Sequence, residues 1–167
     1  MTRIVLIGAP GSGKSTVGVS LAHHLQLPFV DTDSYIEARE SRKISNIFVD
    51  DGEGFFRAIE FEALQEVLQR DDCVISLGGG APIAEKAQLL LRQSQSTIIF
   101  LDVSLATAAP RVGFNRDRPL LLGNPRGQWQ ALSDQRRPIY EDLADFTIKV
   151  DDMSVDQIVR EIASVLT

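Results

Sequence analysis

Gly8-Ala9-Pro10-Gly11-Ser12-Gly13-Lys14-Ser15 meets the pattern G-x-x-x-x-G-K-[ST] at every fixed position. Upstream, Ile4-Val5-Leu6-Ile7 is a short apolar run suited to a buried strand. Downstream, Val17, Leu21 and Leu25 recur at helical spacing. The loop therefore stands in the strand–turn–helix context that the pattern requires. Glycines at 8, 11 and 13 permit positive φ, so that successive amide N–H groups can face a phosphate chain at a helix N-terminus. Lys14 would then reach the β- and γ-phosphates, and the Ser15 hydroxyl would meet Mg²⁺. Gly11, Ser12, Gly13, Lys14, Ser15 and Thr16 are accordingly the expected ATP-binding residues.

Composition narrows the partners. The chain has 167 residues, which predicts a single domain, 1–167, with a full α/β core. A net charge of −6 argues against nucleic acid as a partner, because non-specific phosphate binding needs a basic face. Cys73 is the only cysteine; it lies in the apolar run Cys73-Val74-Ile75 and reads as a buried strand thiol. Met1 leads directly into the first strand, and no apolar run approaches the length of a membrane span. The expectation is a cytoplasmic monomer that binds no membrane. Within the acidic total, Arg111, Arg116, Arg118, Arg126, Arg136 and Arg137 share a stretch without lysine. Guanidinium forks suit phosphate and carboxylate, so anions are expected there; a solvated basic face is the alternative.

Strand-like runs at Ile4–Ile7, Pro28–Val30, Cys73–Leu77, Thr97–Leu101 and Phe146–Val150 alternate with helical periodicity. Such alternation predicts a three-layer α/β fold, a five-stranded parallel sheet flanked by helices. Phe56, Ile59, Ala63, Leu64, Val67 and Leu68 mark one inner helix face. Val155, Ile158, Val159, Ile162 and Leu166 mark another, opening after Ser154. Between Val112 and Gly127 periodicity fails and breakers accumulate, so residues 112–126 are expected to form a mobile lid.

A phosphate loop alone fits GTPases, motors and small-molecule kinases. No guanine-reading Asn-Lys-x-Asp occurs, which lowers the first. Asp31 and Asp102 both end strand-like runs, where ligands of a doubly wound sheet gather, and position alone does not separate them. Asp31-Thr32-Asp33 says more. Two carboxylates one residue apart can divide labour, one toward the metal and one toward an acceptor hydroxyl, as phosphoryl transfer demands. Either could instead cap the helix that follows.

At this point the chain resembles the shikimate kinase family along nearly its whole length. The resemblance rests on GAPGSGKST from Gly8, DTD at Asp31–Asp33, IFVDDGEGFFR ending at Arg57, SLGGGAP from Ser76, RPLL from Arg118 and RRPIY from Arg136. It implies a P-loop kinase fold and transfer of the ATP γ-phosphoryl group to the 3-hydroxyl of shikimate, with ADP released. It further implies that Asp33 orients and activates the acceptor hydroxyl and that Arg57 and Arg136 hold the carboxylate. The substrate region would span residues 31–60, and Gly78-Gly79-Gly80 would border the substrate ring. Lys14 and Arg118 would neutralise charge on the transferred group, and Arg111 would flank the adenine. Ser15, with Asp31 acting through water, would order Mg²⁺.

Two departures stand out. Some relatives carry an arginine just after the fifth strand, where this chain reads Val150-Asp151-Asp152-Met153. Relatives often carry a small residue at the position of Arg137, for which solvent exposure and no role are expected. A gluconate kinase of the same architecture is the competing enzyme reading, and a nucleotide-binding regulatory module without chemistry is the competing non-enzyme reading.

Overall fold

The computed structural model describes residues 1–113 and 123–167. Strand β1 (Arg3–Ile7) is buried throughout, and its alternation sorts side chains between two helical layers. Ile4 and Leu6 join a cluster with Val17 and Leu21 of α1 (Lys14–Leu25) and Ile158 and Ile162 of α7 (Val155–Leu166). Val5 and Ile7 join the opposite cluster, with Leu64 and Val67 of α3 (Ile44–Val67), Leu91 of α4 (Glu85–Gln93) and Tyr140 of α6 (Pro125–Leu143). A strand buried on both faces favours apolar residues on both, which is why Ile4–Ile7 runs unbroken, while buried Arg3 at the strand's start donates to the Arg70 and Ser94 carbonyls.

The remaining strands are β2 (Phe29–Asp31), β3 (Cys73–Ser76), β4 (Thr97–Asp102) and β5 (Phe146–Lys149). All pair in parallel in the order β2-β3-β1-β4-β5. This is the expected three-layer α/β sheet. Every strand ends on the same edge, so the loops after β1, β2 and β3 converge there. Cys73 is buried, and that burial pushes its thiol pKa up.

Helix α2 (Thr32–Glu40) and both parts of α3 pack around a small core of Ile36, Ile47, Phe56, Ile59 and Ala63. Gly52 breaks α3 at φ 86°, a left-handed backbone that favours glycine. Helix α7 opens on the expected Ser154, whose side chain accepts from the Gln157 amide while Gln157 bonds back, a reciprocal cap.

The expected lid lies mostly at residues 114–122, outside the described residues, as does Arg118. Its margins differ from the sequence reading. Helix α5 (Leu105–Val112) reaches its amino-side margin, and Pro125 and Arg126 belong to the first turn of α6. The apparent breakers there are start signals: the Asn124 side chain caps the Gly127 amide, and proline fits the first helical position.

Candidate active site

The loop after β1 folds as the sequence requires. Gly11 has φ 84° and Gly13, the residue capping α1, has φ 92°. A side chain at Gly11 would meet Val112 at 2.8 Å, because α5 packs directly on the loop. Lys14 is buried, and its ammonium donates to the Gly8 and Ala9 carbonyls at 2.8 and 3.1 Å. Ser12 is buried, whereas Ser15 and Thr16 are exposed at the mouth. Arg111 donates to the Gly11 carbonyl at 3.1 Å. These residues line one cavity together with Asp31, Asp33 and Met153, which lies in the departing stretch after β5. That stretch is anchored by Asp151, whose carboxyl is held below its usual range by a hydrogen bond from the Thr107 hydroxyl and by bonds from Ser104.

Asp31 caps the following helix, one of the two roles that the sequence left open, and it also binds Ser15. One carboxylate oxygen accepts from the Ser34 amide at 3.1 Å, capping α2, and the other accepts the Ser15 hydroxyl hydrogen. With its hydrogen directed to Asp31, the Ser15 oxygen keeps its lone pairs for a cation. No cluster of three His, Cys, Asp or Glu occurs among the described residues. A cation that retains most of its water, such as Mg²⁺, fits so small a donor set.

The second cavity borders the first, sharing Pro10, Asp33, Gly78 and Gly79 with it. Its walls carry Phe48, Phe56 and Trp129, and its polar groups include Asp33, Arg57, Glu60, Arg136 and Tyr140. The three glycines after β3 explain how these groups converge. A Cβ on Gly78 would lie 2.6 Å from an Asp33 carboxylate oxygen, one on Gly79 3.4 Å from an Arg136 nitrogen, and one on Gly80 2.8 Å from the Arg57 guanidinium carbon. Gly78 and Gly80 therefore clear space for Asp33 and Arg57, whereas a Cβ on Gly79 would be in ordinary contact with Arg136 and closest to the Pro10 ring, at 3.2 Å. At Gly78 and Gly80 the groups in close approach are the protein's own Asp33 and Arg57.

Sequence reasoning missed several members. Glu60 is buried, and its carboxylate accepts from Arg57 at 2.8 Å. Burial raises its pKa, Arg57 opposes the rise, and the nearby Asp33 adds to it. The signal was available as an acid three residues after Arg57, on the same helical face. Tyr140 donates to the Gly79 carbonyl at 2.6 Å, and Trp129 donates from its indole to the Pro10 carbonyl at 2.9 Å. No local pattern announces either contact.

Arg137 corrects the expectation of a solvent-exposed, idle residue. Its two terminal nitrogens donate to both oxygens of Asp102 at 2.9 and 2.6 Å, and its guanidinium lies 5.6 Å from the Phe100 ring centroid. The pair raises the arginine pKa further above its usual range. It also occupies Asp102, and of the two strand-end carboxylates Asp31 is the one that lines the loop cavity.

Residues 10–167 match the family model described as shikimate kinase. The chain belongs to the shikimate kinase family. The family assignment makes it an ATP-dependent kinase, a transferase with an alcohol acceptor. The shikimate kinase of Thermobifida fusca (strain YX) is 44% identical over 162 residues, covering 97% of this chain and 93% of that relative. That of Salinispora arenicola (strain CNS-205) is 44% identical over 162 residues, covering 97% and 96%. A solved shikimate kinase from Acinetobacter baumannii in complex with shikimate superposes with a TM-score of 0.94 at 30% identity, covering 99% of this chain and 93% of that chain. Among the described residues no helix is long and apolar enough to cross a membrane.

Proposed function

We propose that this family member transfers the γ-phosphoryl group of ATP to the 3-hydroxyl of shikimate, giving shikimate 3-phosphate and ADP for chorismate and aromatic amino acid synthesis. The observation that carries the reading is that Asp33 borders both cavities. A donor phosphate in one and an acceptor hydroxyl in the other would meet over that carboxylate. The new bond joins the acceptor oxygen to the γ-phosphorus while the bond from that phosphorus to the ADP oxygen breaks. The acceptor proton passes to Asp33.

Arg57 and Arg136 would grip the shikimate carboxylate, a flat anion that matches guanidinium forks. The carboxylate of Glu60 would hold Arg57 in place for this. Gly79 and its neighbours would border the ring. Gly11, Ser12, Gly13 and Thr16 would cradle phosphate, with Lys14 on the transferred group and Arg118 as its partner in charge neutralisation. Arg111 would flank the adenine. Mg²⁺, when bound at Ser15 with Asp31 acting through water, would supply charge neutralisation at the phosphates. The protein would act as a cytoplasmic monomer.

The test is ADP release with ATP, Mg²⁺ and a panel of shikimate, gluconate, nucleoside monophosphates and water alone. Shikimate is expected to stimulate release far above the rest. A preference for gluconate would replace the acceptor, and equal slow release across the panel would remove the kinase reading.

A further inference from the structure

We propose that Trp129 is a positioning residue for the phosphate loop, acting on the nucleotide site from the wall of the acceptor cavity. The proposal rests on the reading of the loop cavity as the nucleotide's. Trp129 lines the acceptor cavity and is 2% exposed, and the residues bordering the loop cavity do not include it. Yet its indole N–H is bonded to the Pro10 carbonyl at 2.9 Å.

The consequence follows from turn geometry. The Ser12 amide donates to the Ala9 carbonyl at 3.1 Å, closing a four-residue turn with Pro10 and Gly11 at its centre. Proline in second place and glycine at φ 84° in third are the marks of a type II turn. The common alternative, type I, differs chiefly by a half-rotation of the peptide between Pro10 and Gly11. The Pro10-Gly11 pair already favours the type II form, but glycine passes to the alternative at low steric cost, so a contact from outside the turn can strengthen that preference.

Trp129 supplies that contact. In a trans peptide the carbonyl and the next N–H point in opposite directions, and the described residues contain no cis peptide. Fixing the Pro10 carbonyl on the indole therefore turns the Gly11 N–H away from Trp129. Gly11 borders the loop cavity, where amide donors must be ready for phosphate. The Pro10 ring is also closely packed: a Cβ on Gly79 would lie 3.2 Å from it. The indole bond thus favours the loop form that receives the nucleotide, and it does so from a helix that otherwise serves the acceptor.

Trp129 is the only tryptophan, so it can be replaced at one site by β-(3-benzothienyl)alanine, which keeps the ring shape and substitutes sulfur for the N–H. Calorimetry with Mg²⁺-ATP and no acceptor is expected to give a dissociation constant about three- to ten-fold weaker than that of the unmodified protein. Affinity for shikimate in the absence of nucleotide should stay within about two-fold, since wall shape is preserved. Equal nucleotide affinity in the two proteins overturns the proposal. A second measurement needs no variant: hydrogen exchange of the indole N–H should slow when a non-hydrolysable ATP analogue binds, because a ligand that favours the bonded form suppresses its opening. Exchange unaffected by saturating analogue also overturns it. Absence of ATP binding to the unmodified protein would instead undo the nucleotide reading itself.

Discussion

The two ends of the cleft are built by different means. The end lined by the phosphate loop is made by backbone from one contiguous run, Gly8–Ser15, and its shape follows from glycine conformations and a helix N-terminus. The acceptor end is made by side chains from the start of α2, from α3 and from α6, and Gly78 and Gly80 make room there for Asp33 and Arg57. A backbone site of this kind depends on main-chain conformation, and at Gly11 it also excludes a side chain, since a Cβ there would meet Val112 at 2.8 Å. A site of converging side chains depends on single charges, so single substitutions there should separate acceptor from donor behaviour.

The sharpest separation is expected for Asp33→Asn. Loss of a group that takes a proton commonly lowers turnover by about 10²- to 10⁴-fold, while the affinity for ATP should persist. Near-normal turnover would remove Asp33 from the chemistry, and lost ATP binding would mean that the two ends are not separable there. Arg136→Ala should act next most strongly, raising the shikimate KM by roughly a hundred-fold with the ATP KM little changed, as expected when one partner of a buried charged contact is truncated. An effect confined to ATP kinetics would contradict its place at the acceptor end.

Gly78→Ala tests the space itself. Its Cβ would fall 2.6 Å from the Asp33 carboxylate, so the carboxylate must shift, and misplacement of a reacting group lowers turnover by roughly ten- to a hundred-fold. Gly54→Ala is the control, with nothing within 4 Å of its Cβ. Equal activity in the two variants would break the argument that Gly78 makes room for Asp33.

Glu60 gives a smaller, pH-dependent effect. Burial raises its pKa above the ordinary value of 4.5, so the folded chain binds this proton more readily than the unfolded chain does. Stability from this group is therefore fullest below that ordinary value and declines as pH rises through the raised one. Glu60→Gln should lack this decline; thermal midpoints followed across the range check it, and parallel profiles for the two proteins would contradict it. The smallest effect is expected for Arg137→Ala, which removes a half-exposed fork from Asp102. A loss of about 1–2 kcal/mol in stability with unchanged KM values is expected by denaturation and kinetics, whereas a raised shikimate KM would bring Arg137 into the acceptor end.

The same contrast explains what could be read from the sequence. The sheet, its buried strands and the loop after β1 were legible because each rests on local periodicity or on residues adjacent in the chain. The cap at Ser154 was legible for the same reason. The Asp31-Asp33 pair and the arginine stretch holding Arg136 were visible locally, but the grouping of Asp33 with Arg57 and Arg136 emerged through resemblance, since nothing local brings residues 33, 57 and 136 together. The pairing of Arg137 with Asp102 spans 35 residues and depends on where α6 crosses β4, so a reading by position predicted exposure. The contact of Trp129 with Pro10 spans 119 residues and has no pattern at all.

The account turns on donor and acceptor meeting over Asp33, and product analysis tests that most directly. Incubation with Mg²⁺-ATP and shikimate, followed by phosphorus NMR and mass spectrometry, should yield ADP and shikimate phosphorylated at the 3-hydroxyl in equal amounts. ADP with free phosphate and unmodified shikimate would contradict it.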